Sequence, residues 1–349
     1  MSVSDYQLIE AWKEVLTLSR LEAGQTVTIL TGPTTHPQTL ACALIATQAM
    51  GAVVNRLDLP PVNGEKAFSR DPLAYLGTTP LTGNLPAIAA LKASHLVLDL
   101  MTLLFSPEQH EILKGGTKIL LAVEPPEVLM RMVPSLADRA RVLAAAQQIS
   151  VAREMRVTSS AGTSLACPLG EFGPTAEYGF VDEPGRWDHW PSGFALTYPN
   201  DCAAHGTIVI DRGDILLPQK HYVSEPIVLT IEDGYATRIE GGVDASLLGD
   251  YMQTFMDREG YAVSHIGWGL QPRARWSTLG LYDREATIGM DARAFEGNFL
   301  FSLGPNNEGG GRRTTACHID VPLRHCTVML DDEIVVRNGR VTDTAVTTS

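Results

Sequence analysis

No two cysteines of this 349-residue chain stand in a C-x-x-C pair, and the five present, Cys42, Cys167, Cys202, Cys317 and Cys326, make an odd set. That pattern excludes a structural zinc knuckle and a disulfide framework, leaving buried thiols as the expectation. Positive charge is also scarce: 27 Lys and Arg stand against 40 Asp and Glu, for a formal net charge of -13. A nucleic-acid partner needs clustered cations to neutralise phosphates, so none is expected. Uncharged apolar runs of about 18 residues are missing too, which argues against a spanning helix and a membrane partner. The most apolar windows are broken by Lys92, His95 and Lys118. The opening residues carry Asp5 and Glu10 and show neither the basic nor the apolar stretch of a secretory signal, so a cytoplasmic location is expected. Neither internal repeats nor low-complexity tracts stand out.

What is present is a globular composition, 44% hydrophobic, on a chain long enough for two domains. Over residues 1–150, short β-rich runs at 27–31, 53–57, 96–100 and 119–123 alternate with helical patterns at 37–50, 85–94 and 107–113, and a closing helix is expected at 138–148. Such alternation is the signature of an open parallel α/β sheet domain. The loop from Thr31 to His36 has neither the dinucleotide glycine spacing nor a Walker lysine, so no nucleotide site is expected there. Beyond residue 150 the texture shifts to short β runs separated by Gly, Pro and Asp. Asp233-Gly234 and Asn338-Gly339 are strong hairpin signals. Residues 151–349 therefore read as a mainly antiparallel β (α+β), metal-binding domain, with one helix at 245–257 and a polar tail from Thr342 expected to fray.

The sharpest chemical feature is His318-Ile319-Asp320. Residues two apart on a strand project from one face, so an imidazole and a carboxylate can converge on one ion. On its own an H-x-D pair is more often structural, but His318 follows a glycine-rich loop at 303–311. His265, in Ser264-His265-Ile266-Gly267-Trp268-Gly269, supplies a third donor where glycine backbone and an aromatic ring suit close approach to a ligand. Two histidines and one carboxylate with open positions suit Fe(II) that must meet substrate and oxygen together. A second constellation is Gly185-Arg186-Trp187-Asp188-His189-Trp190-Pro191-Ser192-Gly193-Phe194. Its indoles could sandwich a flat ring while His189 moves a ring-hydroxyl proton; a packed loop with His189 bonded to Asp188 or to backbone is the equally weighted alternative. Glu177, Arg293 and Ser302 are further candidates for bonding a polar ring edge or a bound oxygen, each with an ordinary structural role as the alternative.

Taken together, residues 185–194, 264–274, 290–301 and 304–320, with 113–121 and 124–130 in the N-terminal half, resemble the 2,5-dihydroxypyridine 5,6-dioxygenases of bacterial nicotinate degradation. The resemblance implies Fe(II) held by two histidines and an aspartate, which fall on His265, His318 and Asp320, and cleavage of 2,5-dihydroxypyridine with O2 to N-formylmaleamate by a homo-oligomer. That family is itself similar to two-metal aminopeptidase-like proteins. Where those have Pro-Ser/Thr-Gly-Glu this chain has Pro191-Ser192-Gly193-Phe194, and where they have His-x-Ala-x-Gly it has Leu300-Phe301-Ser302-Leu303-Gly304. Losing a Glu and a His from a dinuclear set leaves one metal. An aminopeptidase-like hydrolase with two metals, and a silent binding protein with none, are the alternatives to be discriminated.

Overall fold

The computed structural model describes residues 3–60, 79–103, 106–217 and 219–342. The tail expected to fray lies, from residue 343 onward, outside them. The chain divides into two compact units, one comprising residues 1–136, 177–192 and 282–290, the other residues 137–176, 193–281 and 291–349.

The first unit is built on a parallel five-stranded sheet in the order Val53–Asp58, Thr26–Thr31, Leu96–Asp99, Lys118–Leu121, Trp187–His189. The strands expected from the β-rich runs are all there. The three central ones are buried along nearly their whole length because both faces are covered, as parallel sheets require. The crossover helices start where their sequences stop competing with helix. His36, Asn84 and Ser106 cap Pro37–Ala49, Leu85–Lys92 and Pro107–Lys114, and each helix has proline in its first turn, where the missing N–H is harmless. Leu30, Leu91, Val97, Ile112 and Ile119 form the core beneath, with Trp187 packed against it. The fifth strand is not among those expected from the sequence: residues 187–189 pair in register with Ile119–Leu121. An N-terminal helix, Asp5–Leu18, was also missed, although Ser4 and Gln7 form a capping box for it.

The second unit contains an eight-stranded antiparallel sheet running from Tyr235–Gly241 to Arg340–Val341. A five-stranded sheet in the order Ile319–Leu323, Phe299–Leu303, Val263–Gly269, Phe194–Thr197, Thr175–Glu177 accompanies it. Both expected hairpin turns form. Asp233 and Gly234 have φ of 49° and 76°, and Asn338 and Gly339 have 47° and 74°, the left-handed pair that matches strand twist. The longest helix of this unit is Leu136–Val151, the closing helix expected at 138–148 of the N-terminal domain, which falls almost wholly in the second unit instead; Val243–Gln253 is displaced toward the N-terminus from the helix expected at 245–257. The fold class read from the sequence, a parallel α/β sheet followed by antiparallel β structure, is the one observed.

Candidate functional site

His265, His318 and Asp320 converge in the second unit. Asp320 lies on Ile319–Leu323 and pairs with Ser302 on the neighbouring strand, while His318 immediately precedes that strand. His265 lies on Val263–Gly269 at a shift of register between Val263 and Ile266, the kind of irregularity that re-aims a side chain. The Nε2 atoms of both histidines stand 3.0 Å from the same oxygen, Oδ1 of Asp320. All three groups are buried and their donor atoms lie within 4.8 Å of one another. The other Asp320 oxygen accepts from Nε of Arg293 at 2.6 Å, which turns Oδ1 toward the imidazoles. Burial opposes the Asp320 charge, but His318, Arg293 and His265 outweigh it and hold its pKa well below the ordinary carboxylate range. Two imidazole nitrogens and an ionised carboxylate oxygen facing one point fit a divalent transition metal such as Fe(II), with coordination positions left over for other ligands.

Several neighbours hold this geometry in place. Ser302 donates to the His265 carbonyl at 2.9 Å, and the Asp320 carbonyl accepts from the Leu217 N–H at 3.1 Å. The Tyr198 ring meets His265 edge-on, centroids 6.1 Å apart, and its hydroxyl donates to Glu308 at 3.5 Å. The glycine-rich loop permits this: a Cβ on Gly309 would lie 2.4 Å from the Tyr198 ring. Arg313 ties the start of the loop to the His265 strand by donating to the carbonyls of Gly304 and Val263.

Glu177, Asp188 and His189 form a second buried group, in the first unit. Nε2 of His189 is 2.5 Å from Glu177 Oε2, and Nδ1 is 2.8 Å from the Pro191 carbonyl. A carbonyl only accepts, so Nδ1 carries a proton and Nε2 is the nitrogen that faces Glu177. Burial pulls the His189 pKa down, yet Glu177 and then Asp188 more than reverse that, and the net shift is upward. Asp188 is unsuited to a metal, because both its oxygens already accept from N–H donors.

Of the candidates read from the sequence, His265, His318, Asp320, Arg293 and Ser302 come together in one unit and Glu177 and His189 in the other. Arg293 is engaged with Asp320, and the Ser302 hydroxyl with the His265 backbone. Trp190 does not form the expected pocket wall. Its indole N–H donates to the Met132 carbonyl and its ring packs against Trp12, both in the core of the first unit. Trp268 is likewise fully buried, and Gly267 serves strand packing, since a Cβ there would lie 2.1 Å from the Ala195 carbonyl oxygen. Asp188, Tyr198 and Arg313 were not singled out as functional. Asp188 stood in plain sight beside His189, whereas nothing in spacing ties Tyr198 or Arg313 to the histidines.

A wild-type AmpT from Thermus thermophilus shares this fold, with a TM-score of 0.62 over 97% of this chain and 100% of that one; at 14% identity the likeness concerns fold alone. The chain belongs to the 2,5-dihydroxypyridine 5,6-dioxygenase family, whose model matches residues 7–343. It is 53% identical over 341 residues to the 2,5-dihydroxypyridine 5,6-dioxygenase of Pseudomonas putida KT2440, covering 98% of this chain and 97% of the relative. A solved structure of the 2,5-dihydroxypyridine dioxygenase from that organism superposes with a TM-score of 0.95 over 98% of both chains. The protein is thus an enzyme of the dioxygenase class, taking O2 and a small molecule. No described helix is long and apolar enough to cross a membrane.

Proposed function

We propose that this enzyme cleaves 2,5-dihydroxypyridine with O2 to N-formylmaleamate, using a single Fe(II) held by His265, His318 and Asp320, as a step of nicotinate degradation. The observation that carries the reading is the convergence of two imidazole Nε2 atoms on one aspartate oxygen in a chain of this family. Bound there, Fe(II) would activate dioxygen toward the electron-rich ring. The C5–C6 bond breaks and both oxygen atoms stay in the product, C5 becoming a carboxyl and C6 a formyl group, so no further oxidant is needed.

The chain's own side chains do the remaining work. Arg293 holds Asp320 by one oxygen and keeps the other directed at the histidines. Ser302 fixes the backbone of His265. Glu177 and His189 act as the pair that takes up the proton of a ring hydroxyl, His189 in its neutral form accepting it at Nε2. With Nδ1 committed to Pro191, the mobile proton belongs at the Nε2–Glu177 contact. The hydroxyls of this substrate are para, so adjacent oxygens cannot chelate a metal and orientation falls to the protein. The same reading takes the enzyme to be cytoplasmic and homo-oligomeric, the latter to be checked by sedimentation.

The test is anaerobic loading with Fe(II) followed by 2,5-dihydroxypyridine and oxygen-18 gas. Two labelled atoms in N-formylmaleamate support the proposal. One or none, or cleavage without oxygen, overturns it.

A further inference from the structure

Asp188 is wholly buried, and its carboxylate is completely engaged. Oδ2 accepts from the Tyr178 backbone N–H at 2.9 Å and from Nη2 of Arg186 at 2.7 Å, and Oδ1 accepts from the His189 backbone N–H at 2.8 Å. The first of these N–H groups belongs to the peptide that follows Glu177. Arg186 is fixed in turn: Nε donates to the Phe180 carbonyl at 3.3 Å, and its guanidinium lies 3.8 Å over the Tyr178 ring, whose hydroxyl donates to Asp182.

We infer that Asp188, held by Arg186, is the positioning residue of the Glu177–His189 pair: one buried carboxylate grips the backbone on both sides and sets the two at proton-transfer distance. An amide in its place would offer one acceptor oxygen to three donors that now share two, and a fully satisfied buried network is what makes such geometry unique. The inference deepens the proposed proton-handling role of His189 and rests on it.

Position is joined by charge. The groups facing His189 include Glu177 from its own strand, Asp188 and Arg186 from the His189 segment, and the Trp187 ring; the adjoining strand contributes apolar Ile119–Leu121. Asp188 favours a protonated imidazole and Arg186 disfavours it, so with Asp188 ionised the two substitutions act in opposite directions. That opposition separates a placed charge pair from packing alone.

The experiment is an NMR titration of isotope-labelled histidine in the full chain, with the His189 signal assigned by its loss in His189→Asn. Asp188→Asn is expected to move the His189 midpoint to lower pH and Arg186→Gln to higher pH, while Arg186→Lys stays near the unmodified protein. In Asp188→Asn, kcat should fall about tenfold or more with KM changed much less, as for a misplaced proton-transfer group. Unshifted midpoints, or shifts of one sign in both variants, would overturn the inference even if thermal stability fell. Should Asp188→Asn not fold, the Arg186→Gln midpoint decides alone. The titration needs no turnover, so its failure is distinct from failure of the proposed function, which would appear as full activity in His189→Asn.

Discussion

At the scale of single residues, the proposed metal chemistry falls to His265, His318 and Asp320 and its tuning to Arg293. Arg293 reaches Asp320 through Nε, and lysine has no group to reproduce that planar donation. Arg293→Lys is therefore expected to weaken metal binding by about 10–100-fold, the usual consequence of losing a group that orients a ligand. Competition against a chelator would measure it, and unchanged affinity would remove Arg293 from the site's design. His189 offers a pH test of a different kind. Its folded-state pKa lies above the ordinary histidine value of about 6.5, burial being outweighed by Glu177. Stability from the charged pair is then fully present below that ordinary value and is lost as pH rises through the raised one. The melting temperature of wild type should exceed that of His189→Gln by more at pH 6 than at pH 9. The opposite trend would mean that His189 is held neutral. His318, Asp320 and His265 were legible in the sequence because a strand's two-residue period puts His318 and Asp320 on one face. Arg293 was legible only as a candidate, since a short helix gives no register from which its target follows.

At the scale of elements, the strands were legible and their neighbours less so. Short runs rich in Val, Leu, Ile and Thr mark Thr26–Thr31, Leu96–Asp99 and Lys118–Leu121. Trp187–His189 carries an aspartate and a histidine in three residues and has no such pattern. It is a strand because Ile119–Leu121 offers it an edge, a tertiary fact invisible to local reading. The glycines of Ser264–Gly269 were legible as important but not for the right reason. Gly267 lets the His265 strand lie against Phe194–Thr197, where an added methyl would meet backbone atoms. Gly267→Ala should cost about 1–3 kcal/mol by overpacking, read as a lower denaturant midpoint. It should also weaken metal binding, because the same strand carries His265. Retained stability would mean that the sheet yields at this point.

At the scale of the whole molecule, similarity across residues 7–343 takes in both units, so the family's constraints are not confined to a motif around the ligands. The cysteines match their expectation as buried thiols: four of the five are buried and none is in a disulfide. Because a metal that binds only the folded protein stabilises it by mass action, Fe(II) at one hundred times its dissociation constant should add about 2.7 kcal/mol. A chelator should reverse the gain, and His318→Ala should show none. The most direct test of the central claim follows oxygen uptake and ring absorbance together, in Fe(II)-loaded protein supplied with 2,5-dihydroxypyridine. One oxygen consumed for each ring lost, abolished in His318→Ala, is the predicted result. Ring loss without oxygen uptake, or uptake unaffected by His318→Ala, would contradict the account.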